Sequence, residues 1–156
     1  MITNIDFKIL DAIQTIATPV LDAFFVFITH LGDAGAMWIV VAVLCLCFKR
    51  TRKCGIMLAC VLILGTLIGN VALKNIIARP RPFLQNPDML NSLLISQPSG
   101  YSCPSGHTLA SFESAFIIFL NNKKWGIAAL VMATLIAFSR MYLYVHFFTD
   151  ILLADI

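Results

Sequence analysis

The chain has 156 residues, of which 60% are hydrophobic and 12% are charged, and its net charge at pH 7 is only +3. Soluble domains carry about 25% charged residues, so this composition, with a mean hydropathy of +0.90, excludes an ordinary soluble protein and offers no basic face for a nucleic acid. Long apolar runs predict an all-α membrane helix bundle, and the length fits a single membrane-embedded domain over residues 1–156.

The N-terminal half contains one amphipathic stretch and three apolar stretches. Isoleucines recur at helical spacing through residues 2–18, which predicts a helix lying at the membrane interface. Residues 19–31 and 36–48 are predicted as two short membrane spans, and residues 54–73 as a span of full length. The basic run KRTRK at 49–53 separates the second span from the third.

The C-terminal half begins with a long polar segment, residues 74–106, which is expected to form an extracytoplasmic active-site loop. Residues 107–120 and 125–140 are predicted as the fourth and fifth spans. A single helix from 125 to the chain end would be about 48 Å long and would exceed the ~30 Å hydrocarbon core, so a turn is expected within 141–145. The sixth span then begins near His146 and is cut short by the chain end, so about six spans are expected, the last one truncated.

The cations divide between the two sides of this predicted bundle. Six of them lie in two short loops on one side: Lys49, Arg50, Arg52, Lys53, Lys123 and Lys124. The positive-inside rule makes that side cytoplasmic. Four others fall on the opposite side and are expected to serve a function instead of setting the topology: Lys74, Arg79, Arg81 and Arg140. His107 and His146 fall there too, so the sequence predicts a site on the extracytoplasmic face of the plasma membrane.

Three polar stretches meet on this predicted face: KNIIARPRP at 74–82, CPSGHT at 103–108 and SRMYLYVHFFTD at 139–150. Crowded cations need an anion, and guanidinium groups suit phosphate oxygens because they can bind two at once. In the second stretch Ser105 is expected to cap a helix whose first backbone N–H groups, at residues 105–107, add an anion site. The expected ligand is therefore a phosphate.

Two histidines flank this predicted phosphate site. His146 and Asp150 are four residues apart, so on one helical face the carboxylate can hold the imidazole and raise the basicity of its other nitrogen. One histidine can then attack phosphorus while the other, protonated, gives a proton to the departing oxygen. One alternative is metal binding by His107, His146 and Asp150, which the nearby cations oppose. Another is that His146 and Asp150 only stabilise a helix at the membrane surface.

The three stretches resemble the motifs of the type-2 phosphatidic acid phosphatases, a family related to lipid phosphate phosphatases, bacterial diphosphatases and vanadium haloperoxidases. The family motifs are Lys, six residues, Arg-Pro; then Pro-Ser-Gly-His; then Ser-Arg, five residues, His, three residues, Asp. This chain matches them in order and spacing from Lys74 to Pro82, in 104–107 and in 139–150. The resemblance covers residues 20–156.

The resemblance implies a role for each matching residue. His146 is implied to be the nucleophile, oriented by Asp150, and His107 to be the acid that protonates the leaving group. Five residues are implied to hold the phosphoryl group: Lys74, Arg81, Ser105, Gly106 and Arg140. Members of the family work without a metal, and no cofactor is expected. Arg79 lies outside the motifs and Glu113 lies in the fourth predicted span, and the sequence assigns neither of them a role.

These inferences predict an integral-membrane phosphatase that removes the terminal phosphate of a polyprenyl diphosphate such as undecaprenyl diphosphate, through a phosphohistidine intermediate. A small protein with an outward-facing site fits the recycling of a cell-wall lipid carrier. Phosphatidylglycerophosphate and phosphatidic acid are the alternative substrates. A phosphate or lipid transporter without chemistry is the alternative from another class, although a transporter does not need both histidines. The expected partners are membrane lipids and the lipid substrate, with no nucleic acid, and the sequence does not specify an oligomeric state.

Overall fold

The computed structural model describes residues 2–154, and every regular element in that part of the chain is helical. In chain order these elements are α1 (Ile2–Gln14), α2 (Pro19–Leu31), a 3-10 turn (Asp33–Gly35), α3 (Ala36–Cys47), α4 (Arg52–Gly65), a π-helix (Thr66–Leu73), α5 (Lys74–Ile77), α6 (Pro82–Gln85), α7 (Pro87–Leu90), α8 (Gly106–Asn121), α9 (Lys123–Tyr142) and α10 (Phe148–Leu152). The predicted all-α class is therefore confirmed for the described residues.

The predicted count of six membrane spans is not confirmed. Two helical runs are long and apolar enough to cross a membrane, Arg52–Gln85 and α9. A third span results if α2 and the segment Asp33–Cys47, which meet at a bend of 44°, are taken together. The other predicted spans correspond to shorter helices, 16 residues in α8 and 5 in α10. Residues 155–156, where the predicted sixth span ends, lie outside the described residues.

The boundaries of two predicted segments differ from those observed. α1 ends at Gln14, four residues before the predicted end of the interfacial helix, and its position at a membrane interface stays a prediction. The polar segment predicted to begin at Lys74 is still helical there, because the π-helix runs directly into α5 and the helix ends only at Ile77. The wider turns of a π-helix are rare and frequently occur at functional sites.

The central helix of the bundle is α8, which contacts α3, α4, α9 and the π-helix. Small side chains on its buried face let these neighbours approach, among them Ser111, Ser114 and Ala115. Ser111 also accepts a hydrogen bond of 2.9 Å from the indole Nε1 of Trp38 in α3. Asn122 separates α8 from α9 and caps the start of α9 by accepting from the backbone N–H of Trp125. This one-residue connection makes α8 and α9 a tight antiparallel pair.

The two loops that carry the predicted cytoplasmic cations lie at the same end of the bundle. Arg50 and Thr51 in the α3–α4 turn line one pocket together with Asn121 at the end of α8 and Asn122 in the α8–α9 turn. α8 begins at the opposite end, and its 16 residues span about 24 Å. The structure therefore separates those cations from the start of α8 by the length of the helix.

α1 packs against the end of α9 and against α10. Leu10 is fully buried in a cluster that also contains Tyr142, Tyr144 and Phe147. The side-chain amide of Gln14 donates a 2.7 Å hydrogen bond to the carbonyl oxygen of Tyr142. The N-terminal helix is thus packed against the segment that carries His146.

The close approach of α8 and α9 predicts the effect of enlarging Gly126. A Cβ atom there would lie 2.1 Å from the Cα of Phe119, so the two backbones must separate. We expect Gly126→Ala to lower the midpoint of thermal unfolding in detergent, because overpacking costs about 1–3 kcal/mol and exceeds the ~1 kcal/mol gain in helix propensity. Val131→Leu, on the exposed face of the same helix, is the control and should leave the midpoint unchanged. A midpoint raised by Gly126→Ala would contradict the described contact.

Candidate active site

The three polar stretches converge on one cavity of about 680 Å³ near the start of α8. Its lining includes six of the residues predicted from the sequence: Lys74, Arg81, Gly106, His107, Arg140 and His146. Ser105 and Asp150 are fully buried and do not line it. Asp150 reaches the cavity only through His146, whose Nδ1 lies 3.6 Å from its Oδ2. The sequence therefore identified a set of residues that the fold brings together, although it did not establish their chemical roles.

His146 lies in the turn 143–147 between α9 and α10, and not on a helix that it shares with Asp150. The predicted common helical face is wrong, because α9 ends at Tyr142 and Tyr144 adopts a left-handed backbone with φ of 58°. The backbone N–H groups of Val145 and His146 both donate to the carbonyl oxygen of Arg140, at 3.1 and 3.2 Å. This turn, and not helical periodicity, places His146 near Asp150.

The imidazole of His146 is buried, and its contact with Arg81 determines which nitrogen carries the proton. Nη1 of Arg81 lies 3.2 Å from Nε2 of His146. Because a guanidinium has only donors, Nε2 must accept, and the ring proton of neutral His146 is on Nδ1. Burial, reinforced by Arg140 and Arg81 and opposed by Asp150, lowers the pKa of His146 to about 3. His146 is therefore a neutral imidazole with its Nε2 lone pair directed at the cations.

The carboxylate of Asp150 lies behind the imidazole and accepts hydrogen bonds at both of its oxygens. Its Oδ1 accepts a 2.7 Å hydrogen bond from Nη1 of Arg79, and its Oδ2 accepts one of 2.9 Å from the backbone N–H of Phe147. The same Oδ2 lies 3.6 Å from Nδ1 of His146, which is longer than a hydrogen bond. The predicted carboxylate–imidazole pair is thus adjacent but not hydrogen-bonded in this state.

Arg79, to which the sequence assigned no role, connects Asp150 to the N-terminal helix. Its Nη2 lies 2.7 Å from Oδ2 of Asp6, a carboxylate that is 1% exposed. Asp6 also accepts from the backbone N–H and the hydroxyl of Thr149, at 3.1 and 2.6 Å. The guanidinium carbon lies 3.9 Å from the ring centre of Phe147. Arg79 is therefore a partly buried link that fixes Asp150, and it does not line the cavity.

The cations of the cavity differ in how far the protein satisfies them. Arg81 also donates to the backbone carbonyls of Ser99, Gly100 and Val145. Arg140 donates from Nη1 to the hydroxyl of Thr29, whereas its buried Nε has no hydrogen-bond partner within residues 2–154. A buried donor without a partner is costly, and an oxyanion in the cavity would satisfy it. The geometry therefore suits a phosphate.

The start of α8 agrees with the sequence prediction in one respect and not in another. Ser105 is the N-cap, since its Oγ accepts from the backbone N–H and the hydroxyl of Thr108. Its own backbone N–H, predicted to face an anion, instead donates to the carbonyl oxygen of Asp150 at 3.2 Å, so that part of the prediction is wrong. A Cβ on Gly106 would lie 2.4 Å from Oδ1 of Asn70, so this close contact requires glycine.

Asn70 is a cavity residue that the sequence reasoning missed. It lies in the π-helix, lines the cavity, and accepts a 3.0 Å hydrogen bond from Nζ of Lys74. A polar side chain in an apolar span is a signal of function. Asn70 was not predicted because it lies four residues before the first motif, which begins at Lys74. Glu113, the other polar residue of a predicted span, packs against Gly65 of α4 and does not line this cavity.

The alternative interpretation of a metal site finds no ligand set in the described part of the chain. Within residues 2–154 no group of three or more His, Cys, Asp or Glu side chains is arranged to hold a metal ion. His146 and Asp150 are adjacent, but Arg81 occupies the accepting nitrogen of His146 and Arg79 occupies one oxygen of Asp150. The positive charges that line the cavity favour an anion instead.

Comparison with known proteins identifies the family to which the chain belongs. The family model described as the PAP2 superfamily matches residues 55–154. The undecaprenyl-diphosphatase of Sulfolobus acidocaldarius is 38% identical over 148 residues, which cover 94% of this chain and 68% of that protein.

Two solved structures share the fold over almost the whole chain. The PAP2-type phosphatidylglycerolphosphate phosphatase from Bacillus subtilis has a TM-score of 0.76 and 27% identity, over 98% of this chain and 78% of that one. LpxE from Aquifex aeolicus has a TM-score of 0.82 and 26% identity, over 96% of this chain and 87% of that one. These matches confirm the family inferred from the motifs, and the chain belongs to the PAP2 superfamily.

Proposed function

We propose that this membrane protein hydrolyses the terminal phosphate of a polyprenyl diphosphate, such as undecaprenyl diphosphate, through a phosphohistidine at His146. The observation that carries the proposal is the shape of the cavity. One end holds the two histidines and the cations, and the rest is lined mainly by apolar side chains of α3, α4 and the π-helix, among them Ile39, Val43, Leu46, Leu62, Ile63 and Leu67. A charged headgroup and an apolar chain therefore both have a matching surface in one space.

The apolar part of the cavity supports a lipid substrate in particular. It runs from Gly35, just before α3, to Leu46 near the end of that helix, a rise of about 16 Å over eleven residue steps. Four apolar side chains of the lining are about half exposed: Ile39 and Val43 on α3, Ile63 on α4 and Leu67 on the π-helix. This side of the cavity therefore opens toward the bilayer. At the far end the helices close, since a Cβ on Gly55 would lie 2.8 Å from the backbone nitrogen of Leu46. A chain longer than the cavity can leave sideways into the membrane.

In the proposed reaction the two histidines that line the cavity have different roles. Nε2 of His146 attacks phosphorus as the bond to the bridging oxygen breaks, and protonated His107 gives its proton to that oxygen. Arg81 leaves Nε2 and binds the phosphoryl oxygens together with Lys74, Arg140 and the start of α8. Water then attacks the phosphohistidine and loses a proton to His107, the P–N bond breaks, and phosphate is released. No metal takes part, because three side-chain cations already stabilise the phosphoryl charge.

The choice of a polyprenyl diphosphate rests on the relative named undecaprenyl-diphosphatase, at 38% identity. The named phosphatidylglycerolphosphate phosphatase, at 27% identity, makes glycerolipid phosphates the second candidate. We place the site on the extracytoplasmic face of the plasma membrane, because the two cationic loops lie at the opposite end of α8 and positive loops favour the cytoplasm.

A substrate panel assayed with a chelator tests the reaction class. We expect phosphate release in EDTA to be fastest from undecaprenyl diphosphate and slower from phosphatidylglycerophosphate and phosphatidic acid, because the proposed chemistry uses only side chains. Inorganic phosphate is measured at matched lipid concentrations. Fastest release from a glycerolipid phosphate would select the second candidate. Activity that vanishes in EDTA and returns with one divalent ion would refute metal-independent catalysis.

The phosphohistidine is tested by rapid quenching with a labelled substrate. We expect an acid-labile, base-stable phosphoprotein in the wild type and none in His146→Ala, which should still bind phosphate because the cations remain. Burial lowers the pKa of His146 to about 3, so the adduct should still form well below pH 6.5, the ordinary value of histidine.

Asp150→Asn extends this test to the carboxylate behind the nucleophile. It should slow turnover by on the order of 10²–10⁴-fold, because the orienting charge is lost. Asp88→Asn is the matched control, since Asp88 is exposed and does not line the cavity. Appreciable turnover by His146→Ala, with no adduct in the wild type, would show that water attacks phosphorus directly.

The orientation is tested by labelling introduced cysteines in intact cells. Cys103 is unsuitable because it is 1% exposed, and burial raises the pKa of its thiol to about 11. We expect Ser96→Cys, at an exposed loop position in a Cys47→Ser background, to react with an impermeant maleimide. The native exposed Cys47, near the cationic α3–α4 turn, should react only after permeabilisation. The reverse pattern would invert the proposed topology.

A further inference from the structure

Asp33 contacts His107 although it belongs to none of the three motifs. Its Oδ1 lies 3.0 Å from Nε2 of His107, and its Oδ2 lies 2.7 Å from Nδ1 of His30. One carboxylate thus holds two imidazoles, each within hydrogen-bond distance. Asp33 is separated from His107 by 74 residues in the chain, so the contact is a product of the fold.

The turn that carries Asp33 is shaped around the imidazole of His107. Ala34 and Gly35 have positive φ values of 51° and 69°, at the 44° bend between α2 and α3. Gly32, just before Asp33, packs so closely on the ring that a Cβ there would lie 2.8 Å from Cδ2 of His107. The backbone therefore contacts the ring while the Asp33 side chain holds its Nε2. Two independent contacts of one turn fix the same side chain.

The charges around His107 make this carboxylate important for a proton donor. Lys74, Arg81 and Arg140 line the same cavity, and Arg140 and Lys74 oppose a positive charge on the ring. The neutral His146 lies in the cavity as well, and Asp33 is the carboxylate that contacts His107 within the described residues. His107 is 19% exposed at its side chain, whereas Asp33 and His30 are more than half exposed. Asp33 therefore contacts His107 from its more exposed side, between the cavity-lining residues Gly32 and Ala34.

We propose that Asp33 is the positioning residue of His107: it binds the Nε2–H, directs Nδ1 toward the leaving oxygen and stabilises the protonated ring, while His30 holds its second oxygen. This inference rests on the proposed function. In the first step the Nδ1 proton moves to the oxygen that leaves phosphorus. The neutral ring keeps its other proton on Nε2, and that N–H still donates a hydrogen bond to Asp33. In the second step Nδ1 takes a proton from the attacking water, which restores the starting form.

The first arm of the test measures the contact without turnover. The chain has three histidines, so their side-chain nitrogen NMR signals can be assigned with one His→Gln variant each. We expect the neutral ring of His107 to carry its proton on Nε2 in the wild type, and its imidazolium form to persist to higher pH there than in Asp33→Asn. Asp88→Asn, a matched carboxylate-to-amide change at an exposed position, should leave the titration of His107 unchanged. An identical titration in wild type and Asp33→Asn would overturn the inference whatever the substrate is.

The second arm measures whether the reaction uses the contact. For a lipid phosphate with a poor leaving group we expect Asp33→Asn to lower kcat/KM by about 10²-fold, because it removes part of the general-acid contribution. An aryl phosphate with a good leaving group should lose less than about threefold, because its oxygen needs no proton. The alkaline limb of the pH–rate profile should move to lower pH, since the protonated ring has lost its carboxylate.

The outcomes separate this inference from the proposed function. Equal losses for both substrates with an unmoved alkaline limb would show a merely structural Asp33 and overturn the inference. Asp33 is half exposed, so the variant should fold, and its thermal midpoint should match that of Asp88→Asn. If the wild type releases phosphate from no lipid, the proposed function fails, and the NMR arm alone then decides whether Asp33 controls His107.

Discussion

The contact between the Arg81 guanidinium and Nε2 of His146 is the interaction on which the rest of the site depends. A guanidinium can only donate, so it fixes the proton of His146 on Nδ1 and leaves a lone pair on Nε2. The other donors of Arg81 hold the carbonyls of Ser99, Gly100 and Val145, which joins the first motif to the loop before the second motif and to the turn of the third. Arg81 therefore assembles the site and also occupies the atom proposed to react. A phosphate must compete for this guanidinium before His146 can attack.

A second ionic network lies behind the imidazole and explains why the N-terminal helix is packed onto the C-terminal turn. Arg79 bridges two buried carboxylates, Asp6 in α1 and Asp150 in α10. Removing one partner of such a buried set leaves an uncompensated charge and costs about 3–5 kcal/mol, so these residues depend on one another. Asp150 is thereby held at a fixed position although it makes no hydrogen bond with His146 in this state. As a result of the two networks, Nε2 of His146 faces Arg81 at the cavity, and Nδ1 faces Asp150 on the other side of the ring.

The sequence predicted the parts of the structure that depend on local pattern. Apolar runs located α2, α3, α8 and α9, and the motif spacing named the cavity residues, because each motif keeps its groups within a few residues of one another. The four-residue spacing of His146 and Asp150 predicted that both lie on one helix. In the structure α9 ends before a left-handed Tyr144, and a turn brings the two side chains together. A single left-handed residue that is not glycine has no reliable sequence signal. The contacts of Asp33 and Asp6 were also out of reach, since they pair residues more than 70 positions apart.

The central claim is that His146 attacks phosphorus with Nε2 once Arg81 has moved to the phosphoryl oxygens. Vanadate adopts the five-coordinate geometry of the transferring phosphoryl group, so a structure of the protein with orthovanadate tests this claim most directly. The account predicts a bond between vanadium and Nε2 of His146, with Arg81 displaced from that nitrogen onto vanadate oxygens and Arg140 Nε donating to another. Vanadate held among the cations without a bond to His146, with Arg81 still on Nε2, would contradict it.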